Sequence, residues 1–407
     1  MAIETFRALS IEGSLTPASE ISRVNYIRDN RALSKGDFTL LGIQDRQSET
    51  QALSIKNNLF RLAAQFYPDF MLAEAPSIIV EGNERLTTVL GEFTRFFWEE
   101  LRASFTDQIG LGWGCLVSAP ENPLLMQWFP PDQWFEVLDA RGQFIGDLLY
   151  RIVDVGTSQR VFLYEFPVTG PSRERIYDYG GGSLGGLVST RDLPTRSGRQ
   201  VLPLLPPHQS RGGNDLQGAS IFDDMRPHVY EMSQASTSLS TTIRRNARPH
   251  LYGPAGAITQ DADGKAVVNV DGMYFPLEAD DRAPGYLQWD SKIEAIEWSW
   301  NRNYDQALNA AGLTRFLFDP DVRRSGVLSG SAMRRLLIPF IARLNRYQTG
   351  LEKTVEDYIA LLNRNFAAQG LEIFEYNRSN ITIQWQYASL FEDPTTGGTG
   401  GGTGGAA

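Results

Sequence analysis

The chain has 407 residues, 42% of them hydrophobic, with a formal charge of −10 and a pI near 5.0. That length and apolar fraction supply two or three structural regions and a substantial core, while the acidic balance excludes a surface that grips nucleic acid by neutralising its phosphates. A single cysteine, Cys115, with only His208, His228 and His250, excludes an internal disulfide and a zinc cluster at ligand spacing.

The amino terminus, MAIETFRALSIEG, lacks a basic region followed by an apolar run, so no secretory signal is expected. No window approaches the roughly eighteen uninterrupted apolar residues of a membrane span. Residues 18–34 place Ile21, Val24, Ile27 and Leu33 among charges, the mark of a surface-lying amphipathic helix. A second helix is expected over 53–70, with Leu59, Leu62, Phe66 and Phe70 on one face, and a third over 83–105, packing Leu86, Val89, Leu90, Phe93, Phe97 and Leu101. From Gly110 the pattern turns to short apolar or alternating runs broken by Gly, Pro and Asp. It predicts strands over 113–118, 124–129, 134–138, 143–155, 160–166 and 173–179, with Asp139-Ala-Arg-Gly142 as a hairpin turn. The glycine-rich run at 180–186 lacks the Lys-Ser/Thr ending of a phosphate-binding loop and reads as a flexible hairpin tip. Residues 203–218, rich in proline and glycine, read as a connection.

A helix is expected from Ser220 to Arg245, opened by a Ser-x-x-Asp capping box to Asp223 and bent by Pro227; Ile221, Met225, Val229, Met232, Ala235, Leu239 and Ile243 form its stripe. A compact strand-rich segment follows, with strands at 250–252, 266–270, 273–277 and 286–289 and Asp-Gly turns between them. Ser291-Lys-Ile-Glu294 is a full capping box for another helix reaching Ala311 and stopped by Gly312, with Ile293, Ile296, Trp300, Tyr304, Ala307 and Leu308 on its packed side. Two helices of similar length thus flank a small β module, and the returning chain makes them antiparallel. Residues 329–368 then carry large apolar residues in steps of three and four from Met333 to Phe366, a single helix of roughly 55 Å. Pro339 removes a backbone donor inside it, so a kink is expected near Leu336. Residues 372–390 read as two strands. The chain ends in a Gly/Thr tail with no side chains to build a core.

Ser-Gly-Ser-Ala-Met-Arg-Arg leading into the long helix resembles the SG-x-A-hydrophobic pattern of tailed-bacteriophage portal proteins. KNNLF with FYPDFMLAEAPSIIVEG, FPPDQWFEVLDARGQFIGDLLYRIV after the glycine turn 110–114, and ITIQW resemble portal segments in the same order. The resemblance implies an α+β, portal-like fold: a mixed wing over 1–219, a first stem helix over 220–247, a β-rich clip over 248–290, a second stem helix over 291–312, a tunnel loop over 313–330, a long kinked helix with return strands over 331–393, and a flexible tail over 394–407 in place of a helical crown. It further implies a self-associating, dodecameric ring at one capsid vertex of the virion, assembled in the host cytoplasm. Double-stranded DNA would pass through it without sequence specificity during packaging and ejection. The partners implied are the major capsid protein, the terminase large subunit docking on the clip, and later a head–tail adaptor protein, with no membrane and no cofactor. Asp319, Asp321, Arg323, Arg324 and Ser325 would form the tunnel loop facing DNA, and Arg248, Asp261, Asp263, Lys265, Asp271, Asp280, Asp281 and Arg282 the docking surface of the clip.

The residues alone add one electrostatic point. Between Arg248 and Asp290 seven acids face three bases, so a ring of such surfaces would repel phosphates and keep a duplex from adhering to the wall. No paired catalytic groups emerge. Cys115 lies among glycines and aliphatics as a small buried hydrophobe, the histidines join no triad, and the acidic turn Glu278, Asp280, Asp281 offers too few ligands for a metal. The eight tryptophans suit core and subunit packing. The alternatives are a carbohydrate-active enzyme using tryptophan platforms and a carboxylate pair on the strand region, or another virion ring such as a head–tail adaptor.

Overall fold

The computed structural model describes residues 15–43, 56–139, 141–194, 198–204, 218–246, 250–252, 258–260, 266–268, 285–287, 293–318, 330–370 and 380–385. The fold is α+β. In chain order, helices α1 (Ile21–Ser34) and α2 (Leu59–Met71), strand β1 (Ser77–Val80) and helix α3 (Glu84–Leu111) precede a strand-rich stretch: β2 (Gly114–Ser118), β3 (Met126–Trp128), β4 (Trp134–Leu138), β5 (Phe144–Val155), β6 (Ser158–Pro167), β7 (Arg173–Gly180), β8 (Ser183–Asp192) and β9 (Val201–Leu204). Helix α4 (Phe222–Asn246) leads to short strands β10 (His250–Tyr252), β11 (Ile258–Gln260), β12 (Ala266–Val268) and β13 (Gly285–Leu287), then come α5 (Ile293–Ala310), α6 (Gly330–Ala368) and β14 (Ile381–Gln384). The chain divides into two compact units, one of residues 1–40, 58–226 and 307–407, the other of residues 41–57 and 227–306.

The first unit is built on α2, α3 and α6. Asparagine side chains start the first two, Asn58 accepting from the Arg61 amide and Asn83 from the Leu86 amide, each satisfying one orphan donor of the opening turn. Helix α6 runs 39 residues through Pro339, within a residue of the span read from its periodicity. It packs by aromatic pairs: Phe340 meets Phe66, Tyr67 and Phe70 of α2 with ring centroids 5.3–5.7 Å apart, and Tyr358 stacks on Phe97 of α3 at 4.0 Å. Near its far end Asn365 is fully buried, its amide donating to the Pro123 carbonyl at 2.7 Å and reaching Ser118 Oγ and Gln200 Oε1 at 3.3 Å. Strand β1 pairs antiparallel with β14, Ser77 opposite Gln384, so segments three hundred residues apart share one ladder. The last turn of α5 is closed here too. Gly312 takes the left-handed conformation, and the carbonyls of Ala310 and Ala311 accept from Arg343 and Tyr67, which accounts for acceptors a helix end otherwise leaves open.

Strands β4 to β8 form a five-stranded antiparallel meander, and β3, β2 and β9 a smaller sheet. The turn at 139–142 forms as expected, with Asp139 Oδ1 accepting from the Arg141 and Gln143 amides and Gly142 at φ +76°. Several boundaries differ from the sequence reading, among them the start of α2, at Leu59 after its Asn58 cap and not at residue 53. Helix α3 continues to Leu111 because Gly110 is a packing glycine: a Cβ there would sit 3.1 Å from Ala64 and from the Phe222 ring, and the reversal falls on Gly112 alone, at φ +85°. The glycine run at 180–186 is a turn only at Gly181 and Gly182; the chain then pairs with β7 as a full edge strand, β8, exposed along nearly its whole length. Pro203 lies within β9, opposite Cys115 on β2, at a sheet edge where its missing donor is tolerated.

Candidate functional site

The segment singled out by the sequence is the β module between two helices, and its support starts at Ser220. The expected capping box is present in altered form. Ser220 Oγ accepts from the Phe222 amide at 3.0 Å and donates to the Gly110 carbonyl, but the Ser220 amide donates to Tyr26 Oη at 2.7 Å rather than to Asp223. Tyr26 in turn donates to Asp223 Oδ2 at 2.5 Å, and Arg226 donates to Asn30 of α1 at 2.7 Å. The first turn of α4 is therefore fastened by tyrosine and asparagine side chains from α1. Burial, then the bond to Asp223, push the Tyr26 hydroxyl up to about 12, which keeps it a donor throughout the working range. Tyr26→Phe should lower stability by about 1–3 kcal/mol, the consequence of leaving the Ser220 amide and the Asp223 carboxylate each one partner short. Urea unfolding of the two proteins measures it.

In the second unit, His228 Nδ1 and Asn303 Oδ1 of facing helices lie 3.3 Å apart, and Asn57 donates to Ser236 at 3.0 Å. Farther along, Leu239, Ile243, Ile296 and Trp300, with Ser236 and Glu297, line a groove of about 630 Å³ between α4 and α5. The stripes expected to be packed are closed only near their roots, at Met225, Val229 and Met232 and at Ala307 and Leu308. Along the rest the side chains are half-buried, Ile243 is 53% exposed, and Trp298 is 62% exposed under the Arg302 guanidinium. Composition and periodicity mark these positions as apolar, but they cannot say whether the covering element lies in the same chain.

Strand β10 starts four residues after α4 ends and β13 ends six before α5 begins; they pair antiparallel, His250 opposite Leu287, and β11 pairs with β12 inside them. The β module is thus tied at its base by its first and last strands. Arg248, Asp261, Asp263, Lys265, Asp271, Asp280, Asp281 and Arg282 lie outside the described residues, as do the tunnel-loop residues Asp319, Asp321, Arg323, Arg324 and Ser325, His208 and the Glu278 turn. Pro339 lies inside α6.

The residues weighed for chemistry are mostly in the first unit's core. Cys115 is fully buried on β2, where burial pushes its thiol well above the ordinary range. Trp98, Trp113 and Trp134 are buried, and the last two flank the Arg23 guanidinium at 5.2 and 5.7 Å from their ring centres. Two carboxyls that the sequence reading passed over stand out: burial pushes Asp107 up to about 6 against the pull of its Trp128 bond, and Asp147 up to about 7. Among the described residues, no group of three or more His, Cys, Asp or Glu could hold a metal ion, and no helix is long and apolar enough to cross a membrane.

No family model matches the chain, and no curated protein matches it. Among solved structures it is similar to a chain from the neck of a native GTA particle computed with C12 symmetry, at 16% identity and a TM-score of 0.39, over 82% of this chain and 81% of that one.

Proposed function

We propose that the chain is a portal subunit: it closes with copies of itself into a ring at a capsid vertex, and double-stranded DNA passes through that ring during packaging and ejection. The observation that carries this reading is the order of elements, a β module tied at its base between α4 and α5 and followed by the 39-residue α6, which is the order that the resemblance of the SGSAMRR, KNNLF and ITIQW segments implies. In this reading the acidic module 248–290 is the clip on which the terminase large subunit and then a head–tail adaptor dock. Arg323 and Arg324 reach the duplex from the tunnel loop, the wing meets the major capsid protein, and Pro339 kinks α6. Contacts to DNA are few and directed at its backbone, as a passage that must not retain its cargo requires.

The half-open apolar stripes of α4 and α5 gain a cover from the neighbouring copy in such a ring. Electron micrographs of the purified protein should show rings with a central hole. Trp298→Glu should shift sedimentation to species smaller than a ring while leaving the monomer's melting temperature within the range of a surface substitution. Monomers at high concentration and in capsids alike would reject the ring and the function with it.

A further inference from the structure

We propose that Asp147 and Arg199 form a proton-sensitive latch within the first unit: ionised Asp147 holds the Arg199 guanidinium, and through it the chain leading into β9 and the flank of α6, and protonation of Asp147 loosens that hold. The inference does not rest on the portal reading.

Asp147 sits on β5 with its side chain wholly out of solvent. Its Oδ1 accepts from Trp134 Nε1 at 3.0 Å and lies 3.5 Å from Arg199 Nη2; its Oδ2 is buried without a protein partner. A carboxylate so enclosed and half-satisfied is poorly stabilised in its charged form. Arg199 is the junction. Its guanidinium also pairs with Glu136 of β4 and lies over the Phe144 and Trp134 rings, 4.6 and 5.8 Å from their centres. Its own carbonyl accepts from Arg364 of α6 at 3.2 Å. The next residue, Gln200, accepts from the Ser118 amide at 3.0 Å and from Asn365 at 3.3 Å. One side chain thus connects the five-stranded sheet to the point where β2, β9 and α6 meet.

The charged and titratable groups around Asp147 are Glu136 from β4, Arg199 from the β9 lead-in, Arg23 from α1 across the Trp134 ring, and Cys115 of β2, whose buried thiol also feels Asp107 of α3. Burial is the largest influence on Asp147 and raises its pKa to about 7; Arg199 and the Trp134 N–H oppose it, and Glu136 adds to it.

The sign of the pH effect separates a latch from a merely buried acid. A carboxyl whose folded pKa exceeds its unfolded value gives stability that is full below the unfolded pKa and is lost as pH rises to the folded one, so global stability should increase on going from pH 8 to pH 6. The hold on Arg199 runs the other way, since it exists only with Asp147 ionised. Hydrogen exchange of the full chain, corrected for the intrinsic rate, should therefore show the peptide 198–204 opening about three- to tenfold more readily at pH 6 than at pH 8, while the urea midpoint rises. Asp147→Asn should flatten the peptide's response and reduce that of the midpoint to the smaller share that Asp107 supplies, with 198–204 exchanging at pH 8 as the unaltered chain does at pH 6. Arg199→Gln should keep the pH dependence of the midpoint and lose that of the peptide, a readout that survives if the Asp147 variant fails to fold. Equal protection of 198–204 at both pH values, or a pH-dependent peptide in either variant, would overturn the latch.

Discussion

Phe340→Ala is expected to lower stability by about 3–5 kcal/mol, near the limit for one truncated aromatic. The ring is buried and touches Phe66, Tyr67 and Phe70, three residues of one helix presented by α2 over a single turn and a third. Removing it deletes three aromatic pairs at once, each worth about 0.5–1.5 kcal/mol beyond its buried area, and leaves a void that rigid rings cannot collapse to fill. The loss should spread, because Tyr67 also contacts Tyr347 and caps α5 through Ala311. Denaturant unfolding followed by tryptophan fluorescence reads the change directly. A loss below about 1.5 kcal/mol, the scale of a tolerated volume-conserving swap, would mean that α2 and α6 are not joined through this cluster.

The second large effect is steric. At Gly114 a Cβ would land on the Ser104 carbonyl oxygen, with Ser104 Oγ at 2.8 Å and its carbonyl carbon at 3.0 Å. Two of these atoms, including the nearest, are backbone and cannot swing aside, so Gly114→Ala must push β2 away from α3, at an expected cost of about 3 kcal/mol or more. The contrasting substitution is Gly91→Ala, exposed within α3 with nothing within 4 Å of the added atom, which should stabilise the helix by about 0.5–1 kcal/mol. Melting temperatures moving in opposite directions for the two alanines would verify both readings.

How far the fold could be read beforehand depended on where the information lay. Helix α6 and strands β4, β5 and β7 were legible because their own periodicity and punctuation determine them. The extension of α3 was not, since a glycine kept for close packing against Ala64 and Phe222 looks in sequence like one kept for a turn. Strand β8 carries no alternation, because apart from Leu184, which packs at the edge of a core cluster, its residues are exposed and impose no burial pattern; its register comes from β7. Tyr26 gives no local sign that it will complete a helix cap some two hundred residues away. For the candidate site, the two helices and the apolar character of their facing stripes were evident. Their half-open state was not, because hydrophobic spacing records that a face needs covering without recording who covers it. Asp147 and Arg199 escaped for the related reason that an Asp in a strand and an Arg in a glycine-flanked connection are unremarkable until the sheet brings them together.

Asn365 has a mechanical meaning. A helix whose contacts are all apolar can slip along its axis by one turn, about 5.4 Å, and exchange one greasy neighbour for the next. With its amide seated among Pro123, Ser118 and Gln200, α6 has an indexing pin: any such slip would strand a buried donor and three acceptors together, so under axial load the rod should transmit force to the sheets as a fixed member instead of ratcheting past them.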